Sequence, residues 1–214
     1  LCACLVGSEM CIRDRDAEGD YGAVVVSNAN NLIDPAQFSH DVLWQQVDML
    51  LLQNEVPEAV NLNAAREAKR RGVRVCLNAA PARELCAGMR DAVDLLVVNG
   101  VEARDLSGIV VNDLAGACEA AQWLSQHSPA VVVTAGEHGV AWSEAGNPGH
   151  SLPAEKITLV STHGAGDCFM GMLCTSLLNG NTLADAVAKA NRAAAEHVLS
   201  LIHISEPTRH AQIS

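Results

Sequence analysis

Four apolar runs constrain the fold of this chain more than any other feature: "VDMLLLQ" (47–53), "VRVCLN" (73–78), "VDLLVVN" (93–99) and "AVVVTAG" (130–136). The first is near-continuously apolar, as a strand is when a parallel sheet buries it on both faces. Between the runs the spacing changes from strand-like to helical. In "PEAVNLNAAREAKRRG", Val60, Ala64, Ala65 and Ala68 recur on one helix face, with Pro57 opening the pattern and Gly72 ending it. "NDLAGACEAAQWLSQ" (112–126) reads the same way. "GAVVVS" (22–27) and "KITLV" (156–160) read as further strands, "GVAWS" (139–143) as a hairpin partner of 130–136, and "NANNLIDPAQF" as turn-rich. "GDCFMGMLCTSLLNG" and "TLADAVAKANRAAAEHVLS" predict two helices split by Gly180-Asn181. Strands alternating with helices specify an α/β fold with a mostly parallel sheet.

Ligands of such folds bind at the carboxyl ends of the strands. Three polar clusters lie just past predicted strand ends: Asn99 to Glu102, Thr134 to Gly139, and Ser161 to Asp167. Loops distant in sequence would therefore share one edge of the sheet. The chain shows no internal repeat, linker or low-complexity segment.

Charge narrows the partners. The formal net charge is −11, which argues against nucleic acid or an anionic membrane surface. The one basic cluster, "REAKRRGVR" (66–74), falls on a predicted helix and reads as a solvated face. No apolar run approaches the ~18–20 residues that span a bilayer. The first residues, "LCACLVGSEM", have no basic region or cleavage context of a signal peptide. The cysteines show no CxxC and no metal-type spacing. Cys76, Cys86, Cys118, Cys168 and Cys174 fall in predicted strands and helices, as buried free thiols of a reducing compartment, the cytoplasm.

The two ends read differently from the rest. "LVGSEMCIRD" (5–14) can be written as the codons CTC GTG GGC TCG GAG ATG TGT ATA AGA GAC. The reverse complement of that DNA, read from its second base, encodes "SLIHISEPT" (200–208) and the first two bases of a codon for Arg209. One DNA segment thus accounts for both ends, and it resembles a transposon-type sequencing adapter. We expect 1–15 and 200–214 to be adapter translation, and 16–199 to be part of a catalytic domain. The acidity belongs to that insert, because Glu9, Asp14 and Glu206 cancel Arg13, Arg15 and Arg209.

The stretch "STHGAGDCF" (161–169) carries the chemistry. A glycine turn at a helix start presents backbone N–H groups and the positive end of the helix dipole, and so binds phosphate. Asp167 directly behind it is either a first-turn acid favouring the dipole or a general base. As a base it would take a hydroxyl proton while the N–H groups hold the phosphoryl group under attack. A dinucleotide turn fits badly: Gly164, Gly166 and Gly171 do not make GxGxxG, and the acid would repel a pyrophosphate. No Lys follows the last glycine as in a Walker loop.

"THGAGDCFMG" resembles the GAGD signature of the ribokinase-like carbohydrate kinase family. "LLLQNEVPEAVNLNAAREAKRRGVRVCLNAAPAR" (50–83) is similar to the family's central strand–helix–strand segment, with an N-x-A-P-A-R tail close to ribokinases proper. "NGVEARDLSG" (99–108) is similar to its N-x-x-E stretch, and "VVVTAGEHGV" (131–140) to its T-x-G-x-x-G nucleotide loop. The resemblance implies an incomplete three-layer αβα fold and ATP-dependent phosphorylation of a sugar hydroxyl, typically ribose to ribose 5-phosphate. Fructokinase-like or nucleoside kinase activity, or a non-catalytic nucleotide-binding fragment, are the alternatives. The resemblance implies ATP and Mg²⁺ as cofactors, and a homodimer for the whole protein. It makes Asp167 the base, and Gly164, Ala165 and Gly166 the anion hole. Asn99 and Glu102 would order phosphate and Mg²⁺ largely through water; a helix cap and first-turn acid is the plain alternative. Thr134, Gly136 and Gly139 would contact nucleotide, or make only a hairpin turn. Asn191 would lie near adenine, or be only a polar residue on a helix face, and Glu55 would contact the sugar, or be only a solvated loop acid. Ser161 and His163 are the candidates for a K⁺ site; the family usually has Asp where Ser161 stands, and serine supplies a hydroxyl but no charge. The sugar-binding Gly-rich stretch that members carry ahead of Asp16 has no counterpart here, so the 214-residue chain alone is expected to be inactive or nearly so.

Overall fold

The computed structural model describes residues 29–157 and 164–199, together with the backbone of 10–15 and 21–26. Strands β1 (Met10–Arg15) and β2 (Tyr21–Val26) pair antiparallel as a separate ribbon, with Met10 opposite Val26. Among the described residues the main sheet has six strands in sequence order: β3 (Met49–Gln53), β4 (Arg74–Asn78), β5 (Leu95–Asn99), β6 (Ala130–Thr134), β7 (Gly139–Glu144) and β8 (His150–Pro153). β3 to β6 run parallel, β7 is antiparallel to β6, and β8 is antiparallel to β7. The register sets Leu77 beside Leu96, Val97 beside Val132, and Asn99 beside Thr134.

Helices cover both faces, which is what strands apolar on both sides require. α1 (Glu58–Arg70), α2 (Ala87–Ala92), α3 (Gly100–Ser107) and α4 (Leu114–Leu124) pack on one side. α5 (Ala165–Leu178) and α6 (Leu183–His197) pack on the other. Successive strand residues alternate between the two cores. Val75 and Leu77 face the first, and Cys76 between them faces the second. Val131 and Val133 face the first, and Val132 the second. The helices meet the sheet through small side chains: Ala117, Ala120 and Ala121 of α4 are each 0% exposed. Alanine at these positions lets the helix backbone approach the strands without leaving voids.

Local signals place the helix ends. Val60, Ala64, Ala65 and Ala68 are all buried, and Gly72 follows α1 with a φ of 72° that favours glycine. The Asp113 side chain caps α4 by accepting from Gly116 N at 2.7 Å. Thr182 caps α6 by accepting from Asp185 N at 3.2 Å. The basic cluster is a largely exposed face. Lys69 pairs with Asp94 at 2.6 Å, while Arg71 turns inward to Glu67, Asp41 and the Trp44 ring. Among the described residues no helix is long and apolar enough to cross a membrane.

Several expectations need correction. The run 47–53 is not buried on both faces among the described residues: β3 is the outermost strand and Leu51 is 41% exposed. Lys156 and Ile157 are not in a strand, and 158–160 lie outside the described residues. β8 was not anticipated, because four residues are too few to show an alternation. Of the described cysteines only Cys76 is fully buried; Cys86, Cys118, Cys168 and Cys174 are half-buried. The stretch read as turn-rich does fold into short 3₁₀ turns, Asn30–Leu32 and Pro35–Ser39, and a third, Asp41–Trp44, follows it.

Burial separates leucines of the same chemistry. Leu77 is 0% exposed between β3 and β5, and Leu178 is 44% exposed on α5. Leu77→Ala should cost about 2–5 kcal/mol through lost transfer energy and the cavity it leaves. Leu178→Ala should stay within about 0.5 kcal/mol. Urea denaturation of the two variants measures the difference.

Candidate active site

The start of α5 presents unpaired backbone donors. Gly164 sits at the N-cap in the left-handed region (φ 75°), and no side-chain hydrogen bond caps the helix there. Ala165, Gly166 and Asp167 form the first turn, so their N–H groups and the helix dipole point out of the helix start. A Cβ on Gly164 would fall 2.8 Å from His197 Nε2, the tip of a side chain that can move aside, so the positive φ is what favours glycine here. A Cβ on Gly166 would meet nothing within 4 Å among the described residues. The Asp167 carboxylate is exposed and makes no hydrogen bond or ion pair to a described residue. Nothing described therefore competes for it as a proton acceptor.

Beside this turn lies a cleft of about 1060 Å³. Thr134, Gly136, Gly139, Ala165, Gly166 and Asn191, all anticipated as site residues, line it together. They come from three separate parts of the chain, brought to one place by the sheet. Val140, Pro153, Phe169 and Val198 give it apolar walls. The loop from Gly136 to Gly139 closes a hairpin between β6 and β7, with Ala135 N donating to Gly139 O at 2.8 Å. Gly139 adopts φ 120° and ψ −138°, a region open essentially to glycine alone. A Cβ there would also collide with the Leu152–Ala154 backbone of β8 and its exit. The hairpin and nucleotide readings of these glycines are thus compatible: the turn is a wall of the cleft. Asn191 donates from Nδ2 to Pro153 O at 3.1 Å, which holds α6 against β8.

Asn99 and Glu102 do not line the cleft. They form a capping box at the start of α3. Asn99 Oδ1 accepts from Val101 N and Glu102 N, each at 2.9 Å. Glu102 accepts from Asn99 N at 2.8 Å and from Asn99 Nδ2 at 3.0 Å, one bond to each carboxylate oxygen. Glu102 is 7% exposed. Burial pushes its carboxyl above the ordinary value of 4.5; the bonds from Asn99 oppose that shift and the charge of Asp105 adds to it. Asn99 itself is exposed at the end of β5, beside Thr134.

Glu55 lies in the turn after β3, away from the cleft, on a tightly held backbone. Arg83 donates from Nη2 to Asn54 O at 2.7 Å and from Nη1 to Val56 O at 3.2 Å. Asn30 Nδ2 donates to Glu55 O at 3.3 Å, so three successive carbonyls are tied by side chains from elsewhere. Asn54, 3% exposed, anchors the turn through Nδ2 to Pro81 O at 2.9 Å. Sequence reasoning missed Arg83, Asn54 and Asn30. The quoted N-x-A-P-A-R tail was the available signal for Arg83. It also missed Phe169 and the α6 wall, although Asn191, Ala194, Ala195 and Val198 follow one helix face. Ser161 and His163 lie outside the described residues. Among the described residues no group of three or more His, Cys, Asp and Glu is placed to hold a metal ion.

Comparison with known proteins fits this geometry. Residues 7–208 match the family described as "pfkB family carbohydrate kinase". The chain is 33% identical over 186 residues to the ribokinase of Bacillus subtilis, covering 86% of this chain and 60% of that one. It is 29% identical over 177 residues to the ribokinase of Lactococcus lactis, covering 81% and 55%. The chain therefore spans somewhat more than half the length of these curated relatives. Among solved structures, the ribokinase of Thermotoga maritima superposes with a TM-score of 0.70 at 28% identity, over 90% of this chain and 64% of that one. The ribokinase of Arabidopsis thaliana, complexed with ribose and ATP, superposes with a TM-score of 0.78 over 91% and 64%; at 21% identity it supports the fold alone.

Two outcomes follow from this geometry. A raised carboxyl means that folded Glu102 keeps its proton to higher pH than the unfolded chain does. The stability this group contributes is therefore present below pH 4.5 and lost as pH rises through the folded value. Glu102→Gln keeps the capping box, so its stability should gain on that of the wild type as pH rises above about 4.5, read from urea midpoints. Arg83→Ala leaves the Asn54 and Val56 carbonyls without their side-chain donor. It should cost about 1–3 kcal/mol, with faster amide hydrogen exchange confined to the Asn54–Val56 turn.

Proposed function

The chain belongs to the pfkB family of carbohydrate kinases, and from that membership we propose that its cleft is the nucleotide side of a site transferring the γ-phosphoryl group of ATP to a sugar hydroxyl, ribose becoming ribose 5-phosphate. One observation carries the reading: the glycine turn of α5 and the glycine loop after β6 line the same cleft. The first offers amides to phosphate, and the second offers backbone with no side chain in the way.

The reaction follows from these parts. The N–H groups of Ala165, Gly166 and Asp167 and the α5 dipole stabilise negative charge on the transferring phosphoryl group. Asp167 takes the proton of the acceptor hydroxyl as its oxygen attacks the γ-phosphorus. The bond from that phosphorus to the β-phosphate oxygen breaks, and ADP leaves. Thr134, Gly136, Gly139 and Asn191 hold the nucleotide along the cleft, and Glu55 accepts from a sugar hydroxyl. Mg²⁺, when bound with the phosphates, neutralises their charge. Asn99 and Glu102 suit a hold on it through water, because each Glu102 oxygen already accepts from Asn99. For K⁺ the residue pattern offers only Ser161 and His163. The complementary codons support adapter translation at 1–15 and 200–214; amplification of the gene across both junctions would test that. The whole protein is proposed to act in the cytoplasm as a homodimer, on small molecules and not on nucleic acid.

β3 and Leu51 leave an uncovered edge near Glu55 among the described residues. The 214-residue chain alone is therefore expected to bind ATP but to phosphorylate ribose little or not at all. In the complete protein, ribose-dependent ADP formation should fall by about 10²–10⁴ in Asp167→Asn, with ATP affinity, read by calorimetry, changed only a few-fold. Undiminished turnover in that variant would contradict the base. Failure of the chain to bind ATP would contradict the cleft assignment.

A further inference from the structure

Two thiols meet at the boundary between the sheet and α5, outside the cleft and the turns described above. Cys76 lies at the centre of β4, 0% exposed, on the face that α5 and α6 cover. Cys174 projects from α5 onto the same core and is half-buried. The two side chains lie in the same packed cluster, close enough for one thiol to donate to the other. Arg74 stands two positions before Cys76, so it shares that face of the strand. It donates from Nη2 to Leu177 O at 3.1 Å, which holds its guanidinium over the last turn of α5. The remaining described cysteines have other surroundings. Cys168 donates to Ala193 O at 3.5 Å, and Cys86 and Cys118 pack against the opposite core.

We propose that Cys76 and Cys174 are a thiol modification site that exchanges with small-molecule disulfides of the glutathione type and closes to a disulfide between β4 and α5. The Cys174 thiolate attacks one sulfur of the small disulfide. That S–S bond breaks, one thiolate leaves and takes up a proton, and a mixed disulfide remains on Cys174. Cys76 then attacks the Cys174 sulfur, its proton passes to the second departing thiolate, and the protein disulfide forms. Two protein thiols and one small disulfide thus become one protein disulfide and two small thiols. The order of attack follows from the surroundings. The hydrogen bond with Cys174, and then burial, push the Cys76 thiol well up. The same hydrogen bond lowers Cys174 against the effect of burial, and the Arg74 charge adds to it. The thiolate is the nucleophile, so the half-buried Cys174 reacts first and the buried Cys76 resolves.

The link would tie α5 to the centre of the sheet. α5 begins with the Gly164–Asp167 turn, so closure would act on the helix that carries the anion site. The proposal does not depend on the kinase reading.

The test uses the reduced chain, incubated with glutathione disulfide, quenched with iodoacetamide and mapped by peptide mass spectrometry. Tryptic cleavage isolates Cys76 in 75–83, and chymotryptic cleavage after Phe169 separates Cys168 from Cys174. The expected product links the Cys76 and Cys174 peptides with loss of two hydrogens, forms before Cys86 or Cys118 is modified, and reverses with dithiothreitol. Cys76→Ser should accumulate glutathione on Cys174, and Cys174→Ser should leave Cys76 unreacted. The proposal is overturned if Cys174 in the wild type stays reduced while Cys86 and Cys118 react. It is equally overturned if Cys174 stays capped by glutathione with Cys76 alkylated.

Discussion

The register between β5 and β6 is the constraint on which the rest of the structure depends. Asn99 and Thr134 are the last residues of their strands and stand opposite each other. Both strands therefore end at one level, and α3 and the Gly136–His138 turn leave from one edge. A slip of one residue would exchange the two cores, sending Val131 and Val133 to the face that now buries Val132. Val131, Val132 and Val133, each 0% exposed, fill both cores from β6. The loops that line the cleft therefore inherit their position from the strand ends that this register sets side by side.

The same edge explains why Asn99 and Glu102 stand apart from the cleft. The pattern N-x-x-E at a helix start is a capping box before it is anything else. Here all of its bonds are made within the helix start, and the carboxylate is buried by it. The cap fixes the direction in which α3 leaves β5, next to the hairpin that forms one wall of the cleft. A role toward phosphate or Mg²⁺ would add water-mediated contacts to groups already satisfied. The residue pattern is identical in the two cases, so no reading of sequence could separate them.

Much of the fold was legible because burial on a regular element leaves a periodic trace. The face Val60, Ala64, Ala65 and Ala68 of α1 came out as read. So did the hairpin of β6 and β7 and the two helices split at Gly180. What the sequence hid had one of two physical forms. β8 is too short to show a period, and yet it supplies the backbone that makes Gly139 irreplaceable by any residue with a Cβ. The clamp of Arg83 and Asn30 on the Asn54–Val56 turn joins positions far apart in the chain through carbonyl groups, which every residue possesses. Such contacts leave no pattern in side-chain type. Leu51 failed in the opposite sense: an apolar run predicts burial, but a strand at the sheet edge exposes it.

The central claim is that one cleft, between the glycine turn of α5 and the hairpin of β6 and β7, receives the nucleotide. Titration of ¹⁵N-labelled chain with ADP, followed by backbone amide resonances, tests it most directly. The account predicts that the amides of Gly136, Gly139, Ala165 and Gly166 shift together along a single saturating curve. It would be contradicted if these stayed fixed while the resonances that moved were those lining the cavity on the opposite helical face, around Arg90, Asp105 and Trp123.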